Sequence, residues 1–214
     1  MIWNYLRAHN LKKVGIIKLE HPYINNLITA LTKSKKADES VTVIDAYQSF
    51  GDKDFRTSIT KVKNSGSSYD ILGVFLGSGQ IGQFYNQAGT LGLKMPTLGT
   101  DFFESQSDID AAGKNIDGAV YANYEVSSNF RNEYQSKFGN VSQISYAGNG
   151  YDIAMALAKM NLSTKDSILS GFKGLKNYNG VLGSYNYIES AGDRYVFSPV
   201  YMKVIQGGTI KVLN

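Results

Sequence analysis

Apolar and polar positions alternate along this chain in two different periods, and the switch between them defines its elements. Four short apolar runs, VGIIKL, VTVIDAY, ILGVFL and MPTLG, fall between Lys13 and Gly99. Stretches with apolar residues every three or four positions separate them, which predicts stacked β-α units around a parallel sheet. The predicted strands are Val14 to Leu19, Val41 to Tyr47, Ile71 to Leu76 and Pro96 to Gly99. Pro22 suits the first turn of a helix running through Ser34. Asp52 or Asp54 is the expected cap of a helix whose inner face is Phe55, Ile59 and Val62. A third helix follows with Ile81, Phe84, Tyr85 and Ala88 inward. The pattern already opens inside a helix, Met1 to His9, with Ile2, Trp3, Tyr5 and Leu6 crowded together and no capping residue before it. That start points to an opening cut into a larger protein.

Beyond residue 118 the period changes. Gly118 to Tyr124 predicts a fifth strand, and three helical stretches follow: Ser128 to Phe138, Tyr146 to Met160 and Thr164 to Leu175. A helix run of this kind is expected to have no sheet of its own. The turn at residues 189–193 and a closing hairpin that reverses at Gly207-Gly208 end the chain.

Composition narrows the function classes. The 214 residues are 43% hydrophobic and 19% charged, ordinary for a globular protein of one or two domains. The net charge of +4 is scattered. Its densest cluster, Lys33, Lys35 and Lys36, sits at a predicted helix end, where cations complement the dipole, so nucleic acid is not an expected partner. Cysteine is absent, which excludes disulfides and thiol chemistry. His9 and His21 are the only histidines and have no ligand-spaced companions, so no metal is expected. No apolar stretch reaches the ~18 residues of a membrane span and no export signal stands at the start. The sequons at Asn140 and Asn161 are short coincidences, and Asp108 and Asp110 suit a solvated face.

Ligands of open α/β sheets bind outside the carboxyl ends of the strands, an edge that here carries Tyr23, Ser78 and Asp101 on separate loops. Bland roles exist for each. Asp101 and Glu104 have capping-box spacing, Tyr23 is one of 15 tyrosines, and Ser78 lies in a tight Gly-Ser-Gly turn whose helix-start amides would welcome an anion. The same turn, Gly77-Ser-Gly79-Gln-Ile-Gly82 with Asp101 19 positions beyond it, also satisfies a dinucleotide fingerprint. Two complete β-α units precede it, whereas the fingerprint belongs to the first. No nucleophile elbow or P-loop occurs, so catalysis is the minority expectation.

The succession VGIIKLEHPY, VTVIDAYQSFGDKDF, ILGVFLGSGQIGQFYNQAGTLGLKMPTLGTDFF, IDGAVYANY and YAGNGYDIAMALAKM resembles the type I periplasmic binding proteins, above all the leucine/isoleucine/valine-binding branch. NYNGVLGSYNYIESAGDRYVFSPVYMKVIQGGTIKVL is similar to that family's closing segment. The resemblance covers nearly the whole chain but not the family's opening first-lobe strands. It implies an α/β fold with a parallel-sheet second lobe over residues 1–123, a partial, mainly helical first-lobe segment over 124–190, and return strands over 191–214. It further implies a small amino-acid or amide-like ligand held between hinged lobes, no cofactor, a membrane permease of an ABC importer as partner, and a periplasmic or lipoprotein parent. The matching ligand positions are Tyr23, Ser78 where relatives carry an aromatic, and Asp101, a shorter acid facing the ligand ammonium. The alternative is a ligand-sensing domain of a receptor or amide-responsive regulator. Helical faces with Phe130, Tyr134, Phe138, Tyr151, Met155, Ile168 and Phe172 would lack their first-lobe strands. They are expected to fold back on the second lobe or to pair two chains as a homodimer.

Overall fold

The computed structural model describes residues 1–139, 143–190 and 193–213. Its contacts gather into two units, Met1–Ala122 with Met202–Asn214, and Asn123–Tyr201.

The first unit contains α1 (Ile2–Ala8), β1 (Lys13–Leu19), α2 (Pro22–Lys33), β2 (Ser40–Tyr47), α3 (Arg56–Asn64), β3 (Ile71–Phe75), α4 (Ile81–Thr90), β4 (Thr97–Leu98) and α5 (Gln106–Ala112). It closes with β5 (Val120–Asn123), β9 (Tyr201–Gln206) and β10 (Thr209–Val212). Among the described residues these strands form a seven-stranded sheet in the order β10-β9-β5-β4-β3-β1-β2, parallel from β5 to β2. The unbroken apolar runs have the reason the sequence suggests: β1 and β3 are buried on both faces. Ile17, Leu72, Val74 and Leu76 pack with Phe55, Ile59, Phe84 and Ile109 on one face. Val14, Ile16, Ile71 and Phe75 pack with Trp3, Leu6, Ile24 and Leu31 on the other. The sheet closes in an antiparallel hairpin, with Gln206 opposite Thr209 and Gly207-Gly208 at the turn, as its two glycines predict.

The cap of α3 differs from expectation. Asp52 accepts the amides of Gln48 and Ser49, at 3.1 and 3.0 Å, and so ties its own loop. Asp54 accepts the Arg56 amide and clamps its guanidinium. Buried Phe55 takes the capping position with no side-chain bond, because its ring is committed to the core.

The second unit contains α6 (Ser128–Phe138), α7 (Ile144–Leu157), α8 (Lys165–Lys173), β6 (Tyr178–Gly180), β7 (Gly183–Ser190) and β8 (Asp193–Phe197). Contrary to the helix-only expectation it has its own antiparallel sheet, β6-β7-β8. Asp152 explains why. Its buried carboxylate accepts the amides of Val181 and Leu182, at 2.7 and 3.0 Å, and the Tyr185 hydroxyl at 2.9 Å, fastening α7 to the β6-β7 turn. Burial first, then the hydrogen bond to Asp152 and its charge, push the Tyr185 phenol up from its ordinary range. The inner face of α7 is therefore Ile144, Gly148, Asp152 and Ala156, while Tyr151, Ala154, Met155 and Ala158 are exposed. Phe130, Tyr134 and Phe138 stack in sequence along α6. The sequon at Asn140 and the middle of the 189–193 turn lie outside the described residues.

The opening helix α1 is anchored by specific polar contacts. Trp3 is buried and donates to the Leu31 carbonyl at 2.8 Å. Arg7 grips Glu39 with two bonds, at 2.6 and 3.0 Å, and its guanidinium lies over the Trp3 ring. The Arg7 hydrogen bond, helped by the Lys36 amide, holds the Glu39 carboxyl below the usual glutamate range despite its desolvation. A carboxyl whose pKa is lower folded than unfolded stabilises the fold above the unfolded value, about 4.3. That contribution disappears as pH falls through the folded value. Trp3 is the sole tryptophan and reports on this contact. Its emission is expected to shift to the red as pH drops below that range, and Glu39→Gln is expected to show the loosened emission already at neutral pH. Equal acid titrations of the two proteins would show that the pair does not hold α1.

Candidate functional site

Parallel strands place their following turns along one edge, and neighbours β4, β3 and β1 carry the three predicted ligand residues there. Beyond β1, His21 is extended and caps α2, its Nδ1 accepting the Tyr23 amide at 3.3 Å, with Pro22 at the first helical position. His21 is thus the cap of α2. Tyr23 stands half exposed against the edge of Phe102, with ring centroids 6.0 Å apart. Its hydroxyl donates to Asp101 Oδ1 at 2.6 Å. The sheet edge thereby joins residues 78 positions apart in sequence.

The expected Asp101–Glu104 capping box does not form. Thr100, extended after β4, caps the 3₁₀ turn Asp101–Glu104 by accepting the Phe102 amide. Glu104 turns inward, where Lys203 Nζ of β9 donates to it at 2.5 Å with both side chains buried. With the cap supplied by Thr100, Asp101 is placed to receive Tyr23.

The Gly77–Gly82 turn is occupied from within. Asp108, buried rather than on the expected solvated face, accepts Gly79 N through Oδ2 at 2.7 Å and Gly82 N through Oδ1 at 2.9 Å. Gly77 N donates to Gln80 Oε1. These three glycine amides, which a phosphate would use, are thus taken by side chains of the protein itself, which argues against the dinucleotide reading. The glycines serve packing instead. A Cβ at Gly82 would sit 2.8 Å from the Ala111 Cβ, and one at Gly77 would sit 2.2 Å from the Phe50 ring. Ser78 itself is exposed at the tip of the turn. Asp110, unlike Asp108, is exposed and accepts only from Gln106.

The nearby cations are engaged. Lys18 pairs with Glu20 at 2.7 Å and, through that hydrogen bond, holds the Glu20 carboxyl below its usual range. Lys53 donates to the Gly79 carbonyl. Among the described residues no group of three His, Asp or Glu could hold a metal. His9 contacts its own helix, Nδ1 lying 2.8 Å from the Tyr5 carbonyl oxygen.

Three contributors escape sequence reasoning. Ser105 and Asp108 show helix-start spacing, and Ser105 does cap α5, but spacing cannot reveal that the carboxylate points across to α4. Phe50 and Phe102 carry no local signal beyond their size.

A family profile described as "Periplasmic binding protein" matches residues 2–209. The chain belongs to the periplasmic binding protein family. Members bind solutes and are not enzymes. Solved structures share the fold. The branched-chain amino acid transporter substrate binding protein of Streptococcus pneumoniae, in complex with isoleucine, is 22% identical with a TM-score of 0.75, covering 99% of this chain and 63% of its own. A leucine binding protein of Thermotoga maritima is 20% identical with a TM-score of 0.70, covering 98% and 61%. An ABC transporter solute binding protein of R. palustris, in complex with benzoate, is 16% identical with a TM-score of 0.75, covering 98% and 60%. The chain thus spans about three-fifths of the length of these structures. A search of curated proteins finds no match.

In this member of the periplasmic binding protein family the candidate edge depends on Asp108. Asp108→Ala orphans the buried Gly82 amide and the part-buried Gly79 amide, and is expected to cost about 2–6 kcal/mol, from roughly 1–3 per lost partner. Urea melts of the variant and parent measure it, and a difference below 1 kcal/mol would mean that water replaces the carboxylate without loss.

Proposed function

We propose that the chain is part of a solute-binding protein that serves an ABC-type importer of amino acids or related small polar molecules. The observation that carries this is the Tyr23–Asp101 hydrogen bond at the carboxyl edge of the parallel sheet. A carboxylate partnered by a phenol, with the Phe102 ring beside it, suits a ligand that brings an ammonium or amide donor. Asp101 receives that donor, Tyr23 orients the carboxylate and lines the site, and Ser78 offers a hydroxyl from the turn after β3, the strand between theirs. The family and the transporter proteins among its structural neighbours support this assignment. Residues 1–123 and the closing strands act as one lobe and the segment between them as part of the other. The first contact boundary, at Ala122, supports the expected break near residue 123, whereas the return comes at Met202 rather than at 191, because β8 pairs with β7. The partner of the full-length protein is a membrane permease, and its workplace is outside the cytoplasmic membrane. No helix among the described residues is long and apolar enough to cross a membrane.

Calorimetry of the 214-residue chain against leucine, isoleucine, valine, acetamide and benzoate tests the site. The three amino acids are expected to bind. Asp101→Asn is expected to reduce amine affinity about tenfold or more, the worth of one charge-assisted hydrogen bond. Preference for benzoate, or indifference of amine binding to Asp101→Asn, would remove the ammonium site.

The second unit exposes Phe138, Tyr146, Tyr151, Ile153, Met155 and Leu162. So much apolar surface suits a covered face, and two copies of the chain would cover it by pairing through their helices. Sedimentation at micromolar concentration is expected to show a dimer that Tyr151→Ser with Ile153→Ser returns to monomer. A monomer throughout would exclude pairing.

A further inference from the structure

Ser78 supplies no apolar wall where a ligand side chain would rest, yet an aromatic ring stands beside it. Phe50 sits on the loop after β2, about half exposed, and its ring covers Gly77, the residue preceding Ser78. The placement is built. Buried Gln80 donates to the carbonyls of Ser49 and Asp52, at 3.0 and 2.9 Å. Asp52 accepts two amides of the same loop, and the Gly51 amide donates to Ser49 Oγ at 2.9 Å. The Phe50 ring also meets the His21 ring edge-on, with centroids 6.1 Å apart. Only glycine at position 77 admits the ring, since a Cβ there would overlap it.

Strand order completes the picture. The β3 turn with Ser78 lies between β4, which brings Asp101, and β1, which brings His21 and Tyr23, and Phe50 reaches that turn from β2 beyond. A polar pair and an apolar ring therefore border the same turn. We infer that Phe50 is a specificity-determining residue of this edge, forming the apolar wall for the side chain of a ligand whose ammonium meets Asp101. This rests on the amino-acid site proposed above.

NMR titration of the full chain with L-leucine and L-alanine tests it, because the two ligands share their charged groups and differ only in the side chain. Leucine is expected to bind more tightly. Phe50→Ala is expected to weaken leucine about fivefold, a modest apolar area returned to water, while alanine changes less than about twofold. Phe50→Leu is expected to retain most of the leucine affinity. Trp3 emission on the far face of the sheet checks that each variant is folded. Leucine binding unaltered by Phe50→Ala, or equal losses for both ligands, would overturn the role of Phe50 alone. Failure of the parent chain to bind either amino acid would overturn the amino-acid site and this inference with it.

Discussion

The carboxylate of Asp108 spans the start of α4 and the body of α5, accepting the amides of Gly79 and Gly82, and the character of the carboxyl edge follows from that. Two charge-assisted bonds, one buried and one part-buried, each worth about 1.5–3 kcal/mol, hold a glycine-rich turn in one shape. They also use up the donors that make such turns phosphate sites elsewhere. What the edge presents outward is side chains: Tyr23, Asp101, Ser78 and the aromatic rings around them.

A second buried charge acts behind Asp101. Glu104 and Lys203 bond inside the first unit, and Lys203 belongs to β9, the strand with which the chain returns after the Asn123–Tyr201 unit. An ion pair taken out of water gains little net stability, but its geometry is demanding, because either charge alone would be costly. The pair therefore sets the register of β9 against the turn that presents Asp101. The 3₁₀ turn divides its labour by residue: Thr100 caps, Asp101 faces Tyr23, Phe102 and Phe103 pack, and Glu104 anchors.

Legibility followed the range of the forces involved. Val14 to Leu19 and Ile71 to Leu76 announce buried parallel strands because continuous apolar runs admit few other placements. Pro22 and Gly207-Gly208 announce a helix start and a hairpin because their backbone preferences are local. Asp52 and Asp54 carry a capping signal but bond Gln48, Ser49 and Arg56 within their own loop, and Asp108 carries a solvation signal but turns to Gly79 and Gly82, which only the packing of α5 on α4 decides. The sheet of the second unit departs from its local signals in the same way as Asp108. The helix periods of α6, α7 and α8 are plain, whereas the sheet β6-β7-β8 has short, tyrosine-rich strands and depends on Asp152 to fix its first turn.

By itself the sequence determined a doubly covered parallel sheet, its carboxyl edge, and three loops that reach that edge, since period, run length and turn chemistry act over a few residues. Only the tertiary structure decided that Tyr23 meets Asp101, that Asp108 closes the glycine turn and that Phe50 stands over Gly77. Those contacts join residues 27 to 78 positions apart. Strand order brings them together, and strand order is settled by packing the whole sheet rather than by any segment of it.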